Sequence, residues 1–253
     1  LPDFSAEANN AVAETEEIAP IEATNAMANA PKEVELANNR GDALRFTGTS
    51  GNMTSITTGS PRCSFTQHFD FFKCQDADGH NYAIVRAGDM LWMAEDLRKV
   101  NSLGLTDASN LSSDILNKVI SDNTTELVAT DGDKTYYSKP AAIRALPEGW
   151  KLPTQGEIDY VIKKLNGGKY SIAGEYFKGD NKEGVDSTFI RLNLNGRYNG
   201  IVCEEDNAYL MTRSTKGGET LAMQLSETAN SVNVDVCPDY MLSVRGVRSA
   251  PSA

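Results

Sequence analysis

Ile158, Val161, Ile162 and Leu165 recur every three to four residues, the clearest periodic stretch in the chain. Thr154 and Glu157 precede it as Thr-x-x-Glu, and Asn166-Gly167-Gly168 follow. This predicts a helix with a capping box at its start and glycine at its end. Ile115, Leu116, Val119 and Ile120 show the same spacing behind Ser112, Ser113 and Asp114, any of which suits an N-cap. A third, shorter helix is predicted from Pro140, with Ala142, Ile143 and Leu146 on one face. Elsewhere the period is two. Residues 76 to 97 read as a hairpin: a turn at Asp76 to Gly79, an extended run from Tyr82 to Arg86, a tight turn at Ala87-Gly88-Asp89, and a second run carrying Trp92 and Met93. A short helical piece is expected at Ala94. After residue 169 come further extended runs: Phe189 to Leu194, Tyr198 to Cys203, Tyr209 to Met211, Thr220 to Leu225, Val232 to Cys237 and Tyr240 to Val247. In the last, Leu242, Val244 and Gly246 alternate with Ser243, Arg245 and Val247, as in a half-buried strand. Hairpin, helices and then short strands predict an α+β domain with helices packed on an antiparallel layer.

Residues 1 to 39 break this patterning. They hold eight acidic residues and one basic one, Lys32, so they carry −7 of the net charge of −11. With Phe4 as the only aromatic, such a segment buries too little to offset its ordering entropy and is expected to be a solvated tether over residues 1 to 45, with one short helix around Asn10 to Ile18. Arg40-Gly41-Asp42 is a tripeptide that recurs by chance, and no function is read from it. Residues 46 to 75 form an N-terminal extension, and the domain proper spans 76 to 250. The acidic balance, with a pI near 4.7, offers no basic stripe for nucleic acid and nothing to hold an anionic lipid surface. No apolar run approaches the ~20 residues of a membrane-spanning helix. The chain begins at Leu1 rather than Met, which fits removal of an export signal.

Cys63, Cys74, Cys203 and Cys237 fit two disulfides in an exported protein. Three pairings are open; proximity in sequence favours Cys63–Cys74, which leaves Cys203–Cys237. Zinc is the competing reading, because His68 lies between the first two cysteines and His80 follows, but the spacing does not match the usual Cys-x2-Cys ligand pairs. No nucleophile elbow and no phosphate loop is present, and nothing in the residues points to catalysis.

In their order, several motifs resemble the Fibrobacter succinogenes major paralogous domain, a family of secreted and surface proteins of Bacteroidetes linked to the C-type lectin-like fold. Asp78-Gly79-His80-Asn81-Tyr82 through Trp92-Met93-Ala94-Glu95-Asp96-Leu97 resembles its opening. Tyr136-Tyr137 and Pro140-Ala141-Ala142 resemble its Tyr-rich segment and first helix. Pro147-Glu148-Gly149-Trp150-Lys151-Leu152-Pro153-Thr154 resembles its Pro-x-Gly-Trp-x-Leu-Pro-Thr. Leu194-Asn195-Gly196-Arg197-Tyr198 to Ser214-Thr215 and the closing Ser243-Val244-Arg245 complete the series. The likeness covers roughly residues 74 to 248. Two family cysteines are Leu146 and Gly246 here, and an aromatic segment of the family is Leu210-Met211-Thr212-Arg213.

The resemblance implies short antiparallel sheets with two main helices, and an exported protein at the cell surface or outer membrane, lipid-anchored upstream of Leu1. The function it implies is a non-catalytic binding or adhesion module for glycans or a surface protein; the alternative is a structural subunit of a surface fibre or pilus-like assembly. Lectin-like folds bind calcium in this part of the chain, which makes Glu204, Glu205, Asp206 and Asn207 the candidate ligands, against the plainer reading of a solvated turn. Trp92 and Trp150 stand in apolar motif positions and are expected in the core. Tyr170, Tyr176, Phe177 and Tyr198 are the candidates for an exposed contact surface.

Overall fold

Residues 44–59, 63, 66, 68–178 and 190–250 are described in the computed structural model, and its largest sheet joins both ends of that range. The tether helix, Arg40-Gly41-Asp42, Phe65 and Phe189 lie outside the described residues. β1 (Leu44–Ser50) and β2 (Met53–Gly59) form an antiparallel hairpin, and β2 runs parallel to β3 (Ile84–Ala87) through Ser55–Ile84 and Ile56–Val85. β3 turns back into β4 (Met90–Met93) over Gly88, whose φ of 64° is the left-handed conformation that the turn requires. The residues read as an extension thus share a sheet with the domain's opening hairpin. Ala94-Glu95 is a bend and not the expected helical piece.

A second sheet holds β5 (Thr106–Asp107), β6 (Leu127–Asp131) and β7 (Lys134–Tyr137), with helix α1 (Ser113–Asp122) crossing over between the parallel β5 and β6. Helix α2 (Lys139–Ala145) and helix α3 (Gln155–Asn166) follow. The predicted capping box is formed on α3: Glu157 N–H donates to Thr154 Oγ1 at 3.2 Å and Thr154 N–H to Glu157 Oε2 at 2.8 Å, while Gly167 caps the other end at φ 76°. A two-stranded ribbon, β8 (Arg197–Tyr198) with β9 (Val202–Cys203), leads to a meander of β10 (Asn207–Lys216), β11 (Glu219–Ser226) and β12 (Val232–Val236). β13 (Val247–Ser249) returns to pair with β4, so the large sheet runs β1-β2-β3-β4-β13.

The architecture is α+β, with two parallel strand pairs among the antiparallel ones. Both faces of the large sheet are covered. β4 is apolar and buried at every position: Leu91 and Met93 join one cluster with Ala141, Ala142, Ala145 and Trp150, while Met90 and Trp92 join another with Ile158, Val161 and Ile162. Helix α2 therefore lies on one side and α3 on the other, and a strand without a polar face requires this. Trp92 and Trp150 are 2% and 6% exposed, as core residues.

Three details differ from the patterning. In α2 the buried face is Ala141, Ala142 and Ala145, and Ile143 is 58% exposed, because only small side chains fit where the helix approaches the sheet closely. Residues 241 to 247 are buried at every position, and only the end of that run is a strand. Arg245 is 0% exposed, held by Asp96 and by backbone carbonyls. Among the described residues no helix is long and apolar enough to cross a membrane.

Candidate functional site

The acidic turn does not gather its carboxylates on one point. Glu204 occupies the left-handed region at φ 55°, and its side chain folds back toward β8. There Arg197 Nη2 donates to Glu204 Oε1 at 2.5 Å, and the Tyr209 hydroxyl donates to Oε2. Glu205 turns elsewhere, accepting from Lys134 Nζ at 2.6 Å. Asn207 Nδ2 reaches Glu204 Oε2 at 3.5 Å. The Tyr209 hydroxyl, and after it Arg197, holds the Glu204 carboxyl below the usual carboxylate range. Burial, then Glu204, pushes the Tyr209 phenol up to about 12. Among the described residues no group of three or more His, Cys, Asp or Glu side chains converges to hold an ion; of the set Glu204, Glu205, Asp206 and Asn207, Glu204 pairs with Arg197 and Glu205 with Lys134.

Arg197 is the centre of this corner. Its guanidinium lies 3.8 Å from the Tyr240 ring centroid and 5.1 Å from that of Tyr209, which is cation–π geometry on both sides. Its Nη1 is 3.7 Å from the Cys237 sulfur. Two clefts open nearby. One, of about 130 Å³, includes Lys139, Glu219, Cys237, Asp239 and Tyr240 in its lining. Burial, and then the charge of Arg213, lowers the proton affinity of the Lys139 amine, whose Nζ donates to the Arg213 carbonyl at 3.0 Å. The other, of about 110 Å³, is lined by Asn207, Tyr209, Gln224, Ser226, Ser231 and Asn233, with Leu225 and Ala229.

Of the proposed contact surface, Tyr198 and Phe177 must be withdrawn. Tyr198 is 6% exposed and stacks on Tyr136 at 5.6 Å, in a cluster with Leu116, Ile120 and Met241; Phe177 is 2% exposed. Tyr198 is buried because α1 and the 241–247 run close over the β8 ribbon and the second sheet, and Phe177 because it packs into the cluster of Trp92, α3 and the later strands. Tyr170 and Tyr176 are half-buried against the cluster around Trp92, and the Tyr170 hydroxyl donates to Asp159.

The expected disulfides are not formed: Cys63, Cys74, Cys203 and Cys237 are all free. Cys74 is walled into the cluster of Tyr82 and Trp150, and burial pushes its thiol up. Cys203 Sγ lies against the Ile201 carbonyl at 3.9 Å, while Cys237 faces Arg197; burial raises the Cys237 thiol against the opposing effect of that cation.

The opening turn is shaped by its aspartates. Asp76 accepts from the Asp78 and His80 N–H groups and, at 2.6 Å, from the Tyr82 hydroxyl, and its other contact is His80 Nδ1 at 3.0 Å. Asp78 accepts from the N–H groups of Asn101 and Ser102. This arrangement spends the His80–Asp76 pair on turn geometry.

What the residue pattern did not reveal is the network around Asp96. Arg245 Nε donates to Asp96 Oδ1 at 2.6 Å, and its Nη1 to the Ala94 carbonyl at 2.9 Å. Asn193 and Asn195 both donate to Asp96 Oδ2 at 2.8 Å. The signal was present: an arginine set between Val244 and Gly246 in an otherwise apolar run.

This geometry defines an α+β domain whose later strands carry a cation, two rings and a set of neutral amides at one corner. No family model, curated protein or solved structure matches the chain.

Proposed function

We propose that the protein is a non-catalytic binding module displayed on the cell surface, that glycans are its ligand class, and that its domain is of the C-type lectin-like kind found in the Fibrobacter succinogenes major paralogous domain. The observation that carries this reading is the corner at residues 197 to 240. Arg197, in contact with the buried Tyr209 ring and with Tyr240, stands beside a cleft lined by amides and hydroxyls, the groups that recognise polyhydroxylated ligands by hydrogen bonds. The contact between motifs at opposite ends of the domain supports the family assignment. Asp96 of the opening motif and Arg245 of the closing one are hydrogen-bonded, and Leu146 and Gly246, where the family has cysteines, are neighbours. The test is a glycan array probed with the full chain, with calcium and with chelator. Binding to a defined set of glycans is expected; binding to none sinks the reading.

The second reading, a structural subunit of a surface fibre, has one observation in its favour: among the described residues β1 is an edge strand of the large sheet, next to β2. An added strand could extend the sheet there. SDS-resistant ladders of the protein would favour that reading, and a strictly monomeric protein would remove it.

A further inference from the structure

The meander β10–β11–β12 has two unlike faces. On one, Ala208, Leu210, Met223, Leu225 and Val232 pack into the cluster around Trp92. The register places the opposite positions in cross-strand ranks: Asn207 beside Ser226, and Tyr209 beside Gln224 beside Asn233. Toward one end of this second face, Tyr209, Met211 and Ala222 are covered by the first cluster. Toward the other end the cover stops, and Asn207, Gln224 and Asn233 line the 110 Å³ cleft. Tyr209 marks the border.

The open end is chemically selective. Its polar lining is three primary amides, two serine hydroxyls and one phenol, and no charged side chain lines it. Among the described residues the Gln224 and Asn233 amides make no protein hydrogen bond, although their backbones pair directly and Gln224 is only half-exposed. Two adjacent free amides offer donors and acceptors side by side, and vicinal hydroxyls of a sugar ring can satisfy both at once. A charged ligand would find no counter-charge in the lining, and burying it there would cost more than the amides return.

The acidic turn's first carboxylate is already taken up by protein groups. The residue that would lead a calcium turn, Glu204, is bound to Arg197 and Tyr209, and in that position it orients the phenol and the Asn207 amide at the cleft's edge. Arg197 thus does by a fixed cation what a bound metal would do: it neutralises the carboxylate and positions the groups around it.

We propose that Asn207, Gln224 and Asn233 form a calcium-independent subsite for the hydroxylated edge of an uncharged sugar ring. This rests on the glycan-binding reading above and names the ligand class and the place. The cleft is short, so it takes one ring or the end of a chain.

The test uses the full chain on an array of neutral and acidic glycans, in calcium and in EDTA, beside the double variant Gln224→Ala, Asn233→Ala. Asn233 is exposed and Gln224 half-buried, and matching thermal melts establish that the variant is folded. The expected result is binding to neutral glycans that persists in EDTA and weakens about tenfold or more in the double variant. Neutral-glycan binding unchanged in the variant overturns the subsite but leaves the glycan reading standing. Loss of binding in EDTA, or binding confined to acidic glycans, overturns the calcium-independent neutral site in the same way. Binding to no glycan removes both.

Discussion

Arg245 and Asp96 lie 149 positions apart in sequence and are joined by a 2.6 Å hydrogen bond in the interior, with the arginine side chain 1% and the aspartate side chain 14% exposed. The pair ties the end of the chain to the segment that follows the first hairpin, and Asn193 and Asn195 complete the carboxylate's partners. Replacing Arg245 by Met leaves a carboxylate with no cation and removes a donor from each of the Ala94 and Arg191 backbone carbonyls. The expected loss is about 3–5 kcal/mol in a urea melt. The double variant Arg245→Met, Asp96→Asn is expected to recover part of it, and a cycle with no coupling would show that the two residues act independently.

Trp150 fills the first cluster and donates from Nε1 to the Lys73 carbonyl at 3.0 Å. Trp150→Ala removes the ring and that bond together, and should destabilise by about 3 kcal/mol or more. A loss under about 1 kcal/mol in a denaturant melt would mean that the ring contributes no core volume.

Asp78 has its carboxyl lowered to about 2 by hydrogen bonds from Ser102, through its hydroxyl and its N–H, and from the Asn101 N–H. The folded value is below that of the unfolded chain, so the contribution to stability is present above about pH 4 and is lost as pH falls toward 2. In Asp78→Asn the dependence of stability on pH across that window should be shallower. Urea melts at a series of acid pH values measure it, and an unchanged slope would contradict the assignment.

The thiols should differ in reactivity. Cys63 is exposed, whereas Cys74 and Cys237 are 3% and 2% exposed, with burial raising both buried thiols. A thiol reagent on the native protein should label Cys63 first and reach Cys74 and Cys237 only on unfolding. Mass spectrometry of the labelled peptides gives the order. Rapid labelling of Cys74 would show that its cluster opens.

Leu146 and Gly246 provide a direct check on the family reading. A side-chain carbon built on Gly246 would stand 2.9 Å from Leu146 Cδ2 and 3.2 Å from Trp150 Cβ, so the leucine occupies the space beside the glycine. With cysteine at both positions the pair should oxidise to a disulfide that stabilises the fold by on the order of 4 kcal/mol for a closed loop of about 100 residues, read as a raised melting temperature. Six reactive thiols in the denatured, air-oxidised double variant, where four are expected, would show that the two sites do not meet.

The elements written in local chemistry were legible. The capping box of α3 needs only residues 154 to 157 and a glycine at 167, and the β3–β4 hairpin needs only its turn and its apolar flanks. What depends on distant neighbours was not. Ile143 looks like a core residue by spacing and faces solvent because α2 meets the sheet through alanines. Tyr198 looks like a surface ring in a glycine-rich stretch and is buried because Tyr136, far away in sequence, stacks on it. Cysteine parity carries no distances, so it suggested bonds that are not formed. At the candidate site, the acidic turn was visible as charge, but its pairing with Arg197 depends on the left-handed Glu204 and on a ribbon whose register the sequence does not print. The open amides of Gln224 and Asn233 were invisible, since only strand pairing places them side by side.

The order of strands in the large sheet has a mechanical consequence. β1 is antiparallel to β2, β2 parallel to β3, and β4 antiparallel to both β3 and β13, so β1 and β13 run in opposite directions at opposite edges. The chain therefore enters at Leu44 and leaves at Ser249 from the same end of the sheet. Tension applied between those two points peels strands apart from one end, breaking ladder bonds in succession instead of shearing them all together. Such a domain would yield at low force along that axis and would project its opposite end away from whatever holds it.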